Sequence, residues 1–228
     1  MKMLNIGLRP IQMNNAKICA YRSRYLGGDS LAITEYLKSF GIKTIVDLRK
    51  PSERKDYPDQ ISKDFNYICF DFDLQNNSRS SSKCKHLRGQ FLSEVPGQRM
   101  LNMYRGFAHK QKEISQIISI CQTLSKPYLI HCTNGKDRAG IISACLQKLN
   151  GVSRQIIFED YLLSNQFNFA INLKDFSMLP ATLSDNERLV IKSLFEARQE
   201  YLEAFIAELN CTYKSFHEFL RKEDYVLN

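Results

Sequence analysis

The 228-residue sequence shows neither the features of a membrane-spanning protein nor those of a secreted protein. No apolar run reaches the roughly 18 residues that a membrane-spanning helix needs. The opening stretch MKMLNIGLRPIQMNN is interrupted by polar residues every few positions, and no secretory signal is recognisable in it. We therefore expect a cytoplasmic protein, or one exported into a host cell without a readable signal peptide.

Cysteine motifs, repeats and linkers are absent as well. The seven cysteines are an odd number and show neither CxxC nor CxxH spacing, which argues against a disulfide framework or a zinc site. No internal repeat and no segment of linker composition divides the chain. These absences predict a single domain over residues 1–228.

Acidic residues are fewer than basic residues in this sequence. The 32 Lys and Arg residues outnumber the 24 Asp and Glu residues and leave a formal net charge of +8. This balance favours anionic partners: phosphorylated substrates, anionic lipid or nucleic acid. Because no nucleic-acid-binding motif accompanies the charge, we expect no specific nucleic-acid partner. The oligomeric state is not predictable from these data.

Patterns typical of helices and strands alternate along the chain. Apolar spacing, caps and β-branched runs predict a helix from Asp29 or Ser30 to Gly41, strands over 42–48, 66–72 and 128–131, and helices over 100–124, 138–150, from 153, over 184–209 and over 213–221. The predicted fold class is α/β, with a central mixed, largely parallel sheet covered by helices.

A polar, basic segment spans residues 75–98 and contains NNSRSSSK. Structureless connections longer than about 12 to 15 residues are usually lids, binding loops or disordered segments. We expect a lid or a mobile basic loop here.

Residues 131–140, HCTNGKDRAG, lie between a predicted strand and a predicted helix. At such a turn the backbone N–H groups and the helix N-terminus favour a bound phosphate. Cys132 at the start of the loop is suited to act as a nucleophile, since nearby positive charge favours a thiolate. Arg138 can bind two phosphate oxygens through its planar guanidinium group. A Walker-type loop is excluded because Asp137, rather than Ser or Thr, follows Gly135-Lys136.

This loop resembles the Cys-x5-Arg signature of protein tyrosine phosphatases, and in particular the HCxxGKDRTG form of a bacterial and fungal family that includes dual protein and phosphoinositide phosphatases. Other segments are similar to motifs of the same family in the same order: Tyr21–Ser23, Ile45–Arg49 with Ser52–Arg54, Met103–Arg105, Asp160–Asn165 and Glu200–Ala204. The resemblance covers about residues 21–221 and implies a tyrosine phosphatase-like fold.

The resemblance also implies roles for individual residues. Cys132 would form a cysteinyl-phosphate, Arg138 would bind the phosphoryl oxygens, and Asp137 would be the general acid, with Asp71 and Asp73 as reserve candidates. The alternative for Asp137 is an ion pair with Lys136 or Arg49. Phosphate-binding residues would be Thr133, Asn134, Gly135, Lys136, Ala139 and Gly140, supported by His131, Arg49 and Asp47. The family chemistry requires no metal or cofactor.

One residue departs from the family pattern. Ala139 stands where the family has Thr or Ser, whose hydroxyl supports the departing Cys sulfur. An alternative function follows, in which the chain is a phosphate-recognition module with weak or stalled turnover.

Lys136 and the basic segment favour a highly anionic substrate. We expect a phosphorylated protein or a phosphoinositide, with peripheral contact to an anionic membrane as a further possibility.

Overall fold

The computed structural model describes residues 6–14, 19–72 and 94–221. Within these ranges, five strands form one sheet in the order β1–β2–β5–β3–β4. The strands are β1 Arg9–Pro10, β2 Ala20–Ser23, β3 Thr44–Asp47, β4 Asn66–Cys69 and β5 Tyr128–His131. Strands β2, β5, β3 and β4 run parallel, and β1 pairs antiparallel with β2. The predicted mixed, largely parallel sheet is confirmed.

The helices are α1 Ser30–Ser39, α2 Pro51–Asp56, α3 Gln98–Ala108, α4 Gln111–Thr123, α5 Asp137–Leu149, α6 Arg154–Leu162, α7 Ser164–Ser177, α8 Asp185–Phe195, α9 Gln199–Tyr213 and α10 Phe216–Arg221. The side chain of Asp29 caps α1, and those of Ser153 and Ser184 cap α6 and α8, as their sequence patterns predict. None of the described helices is long and apolar enough to cross a bilayer.

The described residues fall into two compact units: those within Met1–Asp73 and Lys112–Leu163, and those within Leu74–Gln111 and Ser164–Asn228. The first unit contains the sheet. The second contains α3 packed along α9, with α10 against α9. The expectation of one domain over residues 1–228 stays a prediction.

In the first unit, the three central strands β2, β5 and β3 have every residue buried. This explains the apolar centres of β3 and β5, because a parallel strand covered on both faces exposes no polar side. One core cluster joins Ile33 and Leu37 of α1 to Tyr21, Ile45 and Leu129 of the sheet. Helix α5 contacts β2 and β5.

Two of the helices predicted from the sequence are each divided into two shorter helices in the structure. The one expected over 100–124 breaks at His109 and Lys110, whose N–H groups donate to carbonyls only three residues back. The one expected over 184–209 breaks at Ala197, where the side chain of Asn165 donates to the Ala197 carbonyl and accepts from its N–H. An amide side chain thus replaces the helical hydrogen bonds at that break.

The sequence patterns also missed β1, β2, α2 and α7, and they made the first two predicted strands longer than β3 and β4 are. Residues 73–93 lie outside the described ranges, and with them Asp73 and most of the basic segment 75–98. Gln98, the last residue of that segment, is the first residue of α3.

Candidate active site

The loop 132–136 connects β5 to α5 at the carboxyl end of the parallel strands, where open α/β sheets bind ligands. Cys132 is 2% exposed and Asn134 is exposed. Gly135 has φ +63°, and a Cβ atom there would lie 2.3 Å from the carbonyl oxygen of Ser23. The close passage of the loop over β2 therefore requires glycine at this position.

The N-terminus of α5 begins at Asp137, directly after this loop. The first N–H groups of a helix have no partner within the helix, and the helix dipole places partial positive charge there. Both features favour the binding of an anion at this end of α5, next to the loop that begins with Cys132.

Arg138 is held by a carboxylate that the sequence analysis did not assign. Its Nη1 and Nη2 donate to the two carboxylate oxygens of Glu53 in α2, each at 2.6 Å, and Nη1 also lies 3.3 Å from the Leu48 carbonyl. The hydroxyl of Thr133 donates to the same carboxylate at 2.5 Å. Glu53 therefore connects the loop, the first turn of α5 and α2.

This pairing shifts both ionisable groups toward their charged forms. Burial alone would raise the pKa of Glu53, but the hydrogen bond and charge of Arg138, with hydrogen bonds from Thr133 and the Lys50 N–H, lower it to about 2. Burial alone would lower the pKa of Arg138, but Glu53 and the charge of Cys132 raise it.

Lys136 and Asp137 stand next to each other at the start of α5. The Lys136 side chain is 1% exposed, and its Nζ atom lies 3.5 Å from Oδ1 of Asp137, whose side chain is 22% exposed. The ion pair that the sequence analysis left open for Asp137 is therefore present with Lys136. The other candidate, Arg49, pairs with Asp47 and Asp59 instead.

Behind Cys132, a buried network supports the end of β5. Nε2 of His131 lies 3.2 Å from Oδ2 of Asp59 and 3.7 Å from Oδ1 of Asp47. Arg49 donates to both carboxylates, and the hydroxyl of Tyr67 donates to Asp47 at 2.7 Å. Burial alone would raise the pKa of Asp59, but His131, Arg49 and Tyr67 lower it to about 2.

Asp47, Asp59 and His131 are also the residues, among those described, whose ligand atoms cluster closely enough to hold a metal ion. Their carboxylates already accept from a guanidinium group and a phenol. A second cation would have to displace Arg49 from this buried position. We therefore assign the cluster to ion pairing rather than to metal binding.

The loop is also supported from the face of the sheet that packs on α5. Nη2 of Arg22 donates to the carbonyls of Gly135 and Lys136 at 2.8 and 3.0 Å, and Nη1 donates to Asp160 of α6 at 3.1 Å. A Cβ atom at Gly140 would lie 2.9 Å from Arg22 Nη2. Glycine there leaves room for the guanidinium group under the loop.

Comparison with known proteins assigns the chain to a family. The model of the tyrosine phosphatase family matches residues 16–225. The chain belongs to that family.

Among relatives, a Cupriavidus necator protein whose name assigns it to the tyrosine-protein phosphatases is 27% identical over 207 residues, 88% of this chain and 72% of that protein. The triple specificity protein phosphatase PtpB of Mycobacterium tuberculosis is 25% identical over 144 residues, 58% of this chain and 52% of that protein. The chain thus spans about half of PtpB. The solved structure of P. aeruginosa TpbA is 16% identical, with a TM-score of 0.43, over 82% of this chain and 91% of that one.

The family motifs around the loop form one contact set. Arg22 belongs to the YRS segment, Glu53 to the SER segment and Asp160 to the DYLLSN segment. Arg22 and Glu53 contact the loop or its first helical turn, and Asp160 accepts from Arg22. These segments carry the family resemblance, but none of these three residues was predicted to have a role in the site. The signal that could have identified them is a charged residue within a core strand or next to a core helix, because charged residues are rarely buried unless they are paired.

Asp59 and Tyr67 were missed without a comparable signal. Each stands in a stretch whose sequence gives no reason to bring it to His131.

The remaining candidate residues are Asp71, Asp73 and Ala139. Asp71 is an exposed partner of Arg54 at 2.7 Å, and Asp73 lies outside the described residues. Ala139 is fully buried in the first turn of α5, and its carbonyl accepts from the Ser143 hydroxyl at 2.6 Å.

Proposed function

We propose that this protein is a cysteine-dependent phosphatase that hydrolyses phosphomonoesters through a cysteinyl-phosphate intermediate. The observation that carries the proposal is the buried Cys132 at the entry of a glycine-containing strand-to-helix loop, with Arg138 fixed by Glu53 in the first turn of the following helix. Membership of the tyrosine phosphatase family supports the same conclusion.

In the first step, the Cys132 thiolate attacks phosphorus and the bond from phosphorus to the leaving oxygen breaks. Loop N–H groups and Arg138 stabilise the charge that develops on the other phosphoryl oxygens. Asp137, in its protonated form, donates a proton to the leaving oxygen. Its position directly after the loop, in the first turn of α5, supports this role over that of Asp71, which is an exposed partner of Arg54.

In the second step, Asp137 takes a proton from water, the water oxygen attacks phosphorus, and the bond between sulfur and phosphorus breaks. Inorganic phosphate is released and the thiolate is restored. No residue in this scheme requires a metal or a cofactor.

Phosphotyrosine proteins and phosphoinositides are the proposed substrates. The net charge of +8 favours a strongly anionic substrate and supports peripheral contact with an anionic membrane. Lys136 contributes less directly than its sequence position suggested, because its ammonium group is buried against Asp137. A cytoplasmic location, or export into a host cell, remains part of the proposal.

A phosphate-recognition module is the second candidate, and Ala139 is the observation that favours it. The methyl group of Ala139 cannot donate a hydrogen bond to the departing sulfur. In that case the phosphoenzyme would accumulate and turnover would stall.

The test measures phosphate release from a phosphotyrosine peptide and from a panel of phosphoinositides under the same conditions. Cys132→Ser is the control, since its hydroxyl is a much weaker nucleophile in an otherwise intact loop. Release that requires Cys132 supports the phosphatase, and the ratio of kcat/KM values ranks the substrates. Binding of phosphate without turnover in the parent protein would favour the recognition module.

A further inference from the structure

Two partly buried tyrosine rings pack against each other at the carboxyl end of the sheet. Tyr25 lies two residues after the end of β2, and Tyr57 directly follows α2. Their ring centroids are 5.6 Å apart at an interplanar angle of 56°, and both residues keep part of their surface exposed. Aromatic rings at this separation attract each other beyond the area that they bury. The two tyrosines therefore form one partly exposed aromatic surface.

Both tyrosines are connected to the residues that build the loop. The Tyr25 N–H donates to the carbonyl of Thr133 at 3.2 Å. The Tyr57 N–H donates to the carbonyl of Glu53 at 2.9 Å, and residues four apart lie on the same face of a helix. The Glu53 carboxylate accepts from the hydroxyl of Thr133. The aromatic pair therefore lies beside the loop, on the side of Thr133.

The backbone beneath the rings is held on both sides. The N–H of Leu26, the residue after Tyr25, donates to Oδ1 of Asp59 at 2.7 Å. The Gln60 N–H donates to the Leu26 carbonyl at 2.7 Å, and the Leu26 side chain is fully buried. These contacts join the segment after β2 to the segment after α2. A surface held in this way loses little freedom when a ligand contacts it.

The chemistry of the loop places the organic part of a substrate outside it. In a phosphoryl transfer the attacking atom and the leaving oxygen are roughly in line, on opposite sides of phosphorus. Since Cys132 attacks from within the loop, the leaving group extends away from it, past the residues at the loop's edge. An aromatic leaving group there can pack on the exposed area of the two tyrosine rings. An inositol ring, which carries hydroxyl groups, gains less from an apolar surface because those groups lose their water.

We propose that Tyr25 and Tyr57 are specificity-determining residues that favour aryl phosphomonoesters, such as phosphotyrosine, over alkyl phosphomonoesters, such as phosphoinositides. The proposal rests on the loop being the phosphate site of the proposed function. It narrows the two proposed substrate classes to one.

The experiment measures the dissociation constants of phenylphosphonate and methylphosphonate by isothermal titration calorimetry. Both probes carry a phosphonate group and resist hydrolysis, and they differ in the aromatic ring. Tyr25→Leu and Tyr57→Leu are each expected to weaken the binding of phenylphosphonate about 3- to 10-fold and that of methylphosphonate less than about twofold. Tyr25→Phe is expected to keep the affinity of the parent protein, because it keeps the ring.

Tyr36→Leu is the matched control. Tyr36 of α1 is also partly buried and forms a ring pair with Phe40, with centroids 5.0 Å apart. It lies in the second half of α1, which leads into the amino end of β3, the end of the sheet opposite the loop. The variant removes a comparable ring and is expected to leave the affinity for both probes unchanged.

Turnover provides a second measurement on the same variants. The ratio of kcat/KM for a phosphotyrosine peptide to kcat/KM for a phosphoinositide is expected to fall about 3- to 10-fold in Tyr25→Leu and in Tyr57→Leu. If the two rings only stabilised the neighbouring backbone, their removal would lower both kcat/KM values equally and leave the ratio unchanged.

The proposal would be overturned by an equal loss of affinity for both probes, by unchanged phenylphosphonate binding in a folded Leu variant, by the same selective loss in Tyr36→Leu, or by a parent protein that binds neither probe. If one of the two Leu variants does not fold, the other carries the test. A selective loss of phenylphosphonate binding in a protein that releases no phosphate would support the aromatic surface and contradict the proposed function. Phosphate release that requires Cys132, together with equal losses for both probes, would leave the proposed function in place and overturn this inference alone.

Discussion

Replacing Glu53 by Gln tests whether the ion pair with Arg138 organises the site. Lowering the pKa of Glu53 from 4.5 to about 2 corresponds to about 3 kcal/mol in favour of the ionised folded state, at about 1.4 kcal/mol per pH unit. The Glu53 and Arg138 side chains are each 16% exposed, so solvent screening reduces this to about 2 kcal/mol. For a chain of this size, a loss of that order lowers Tm by about 4 to 8 °C.

The same replacement is expected to lower phosphatase activity. Gln can accept from only one nitrogen of Arg138, and its amide NH2 group faces the other nitrogen, which also donates. If a misplaced Arg138 stabilises the transition state by about 2 kcal/mol less, kcat/KM falls about 30-fold. An activated aryl phosphate is a suitable substrate, since its leaving group needs little protonation.

The pH dependence of stability separates this ion pair from a general loss of packing. A carboxyl group with a depressed pKa stabilises the fold above its unfolded value near 4.5 and loses that contribution as the pH falls toward 2. The difference in unfolding free energy between the parent and Glu53→Gln is thus constant near neutral pH and shrinks below about pH 4.5. Glu35→Gln, an exposed change on α1, is the control. Equal Tm and equal kcat/KM in the parent and Glu53→Gln would refute the assigned role.

Three other changes test the loop. Arg138→Lys is expected to lower kcat/KM by about 100-fold or more, because one ammonium group cannot reproduce the paired contacts; near-full activity would contradict the assigned geometry. Asp137→Asn is expected to slow hydrolysis of an alkyl phosphate much more than that of an activated aryl phosphate and to remove one limb of the pH–rate profile, whereas equal effects would transfer the general-acid role elsewhere. Ala139→Thr adds a donor for the departing sulfur, worth about 1.5 to 3 kcal/mol, so steady-state turnover is expected to rise about tenfold or more while the pre-steady-state burst is unchanged. A parent protein without a burst, together with no gain in Ala139→Thr, would show that another group already supports the sulfur.

The sequence predicted the sheet and the loop because both depend on local patterns. The strand at Tyr128–His131 has a buried apolar run, and Gly135 stands where a positive φ is required. The partners of Arg138 were not predictable in the same way. Arg138 pairs with a residue 85 positions earlier in the chain, and nothing local to either segment encodes that contact.

The broken helices show a second limit of local patterns. The heptad-like apolar spacing continues across Ala197, so the sequence predicts one helix where there are two. The break depends on Asn165, 32 residues away, whose amide group bonds both backbone groups of Ala197. An exposed polar side chain and a polar side chain that ends a helix are indistinguishable in the sequence.

The contacts below and beside the loop fix its geometry before any substrate arrives. Arg22 donates to the carbonyls of Gly135 and Lys136, and Glu53 accepts from both terminal nitrogens of Arg138. A site fixed in this way reorganises little during the reaction, which is the condition under which oriented dipoles and charges stabilise a transition state best. Arg22 comes from β2 and also donates to Asp160 of α6, and Glu53 comes from α2. The loop therefore acquires its geometry only when the sheet unit has folded around it. Destabilising any of the three contacts should weaken phosphate binding before it unfolds the sheet.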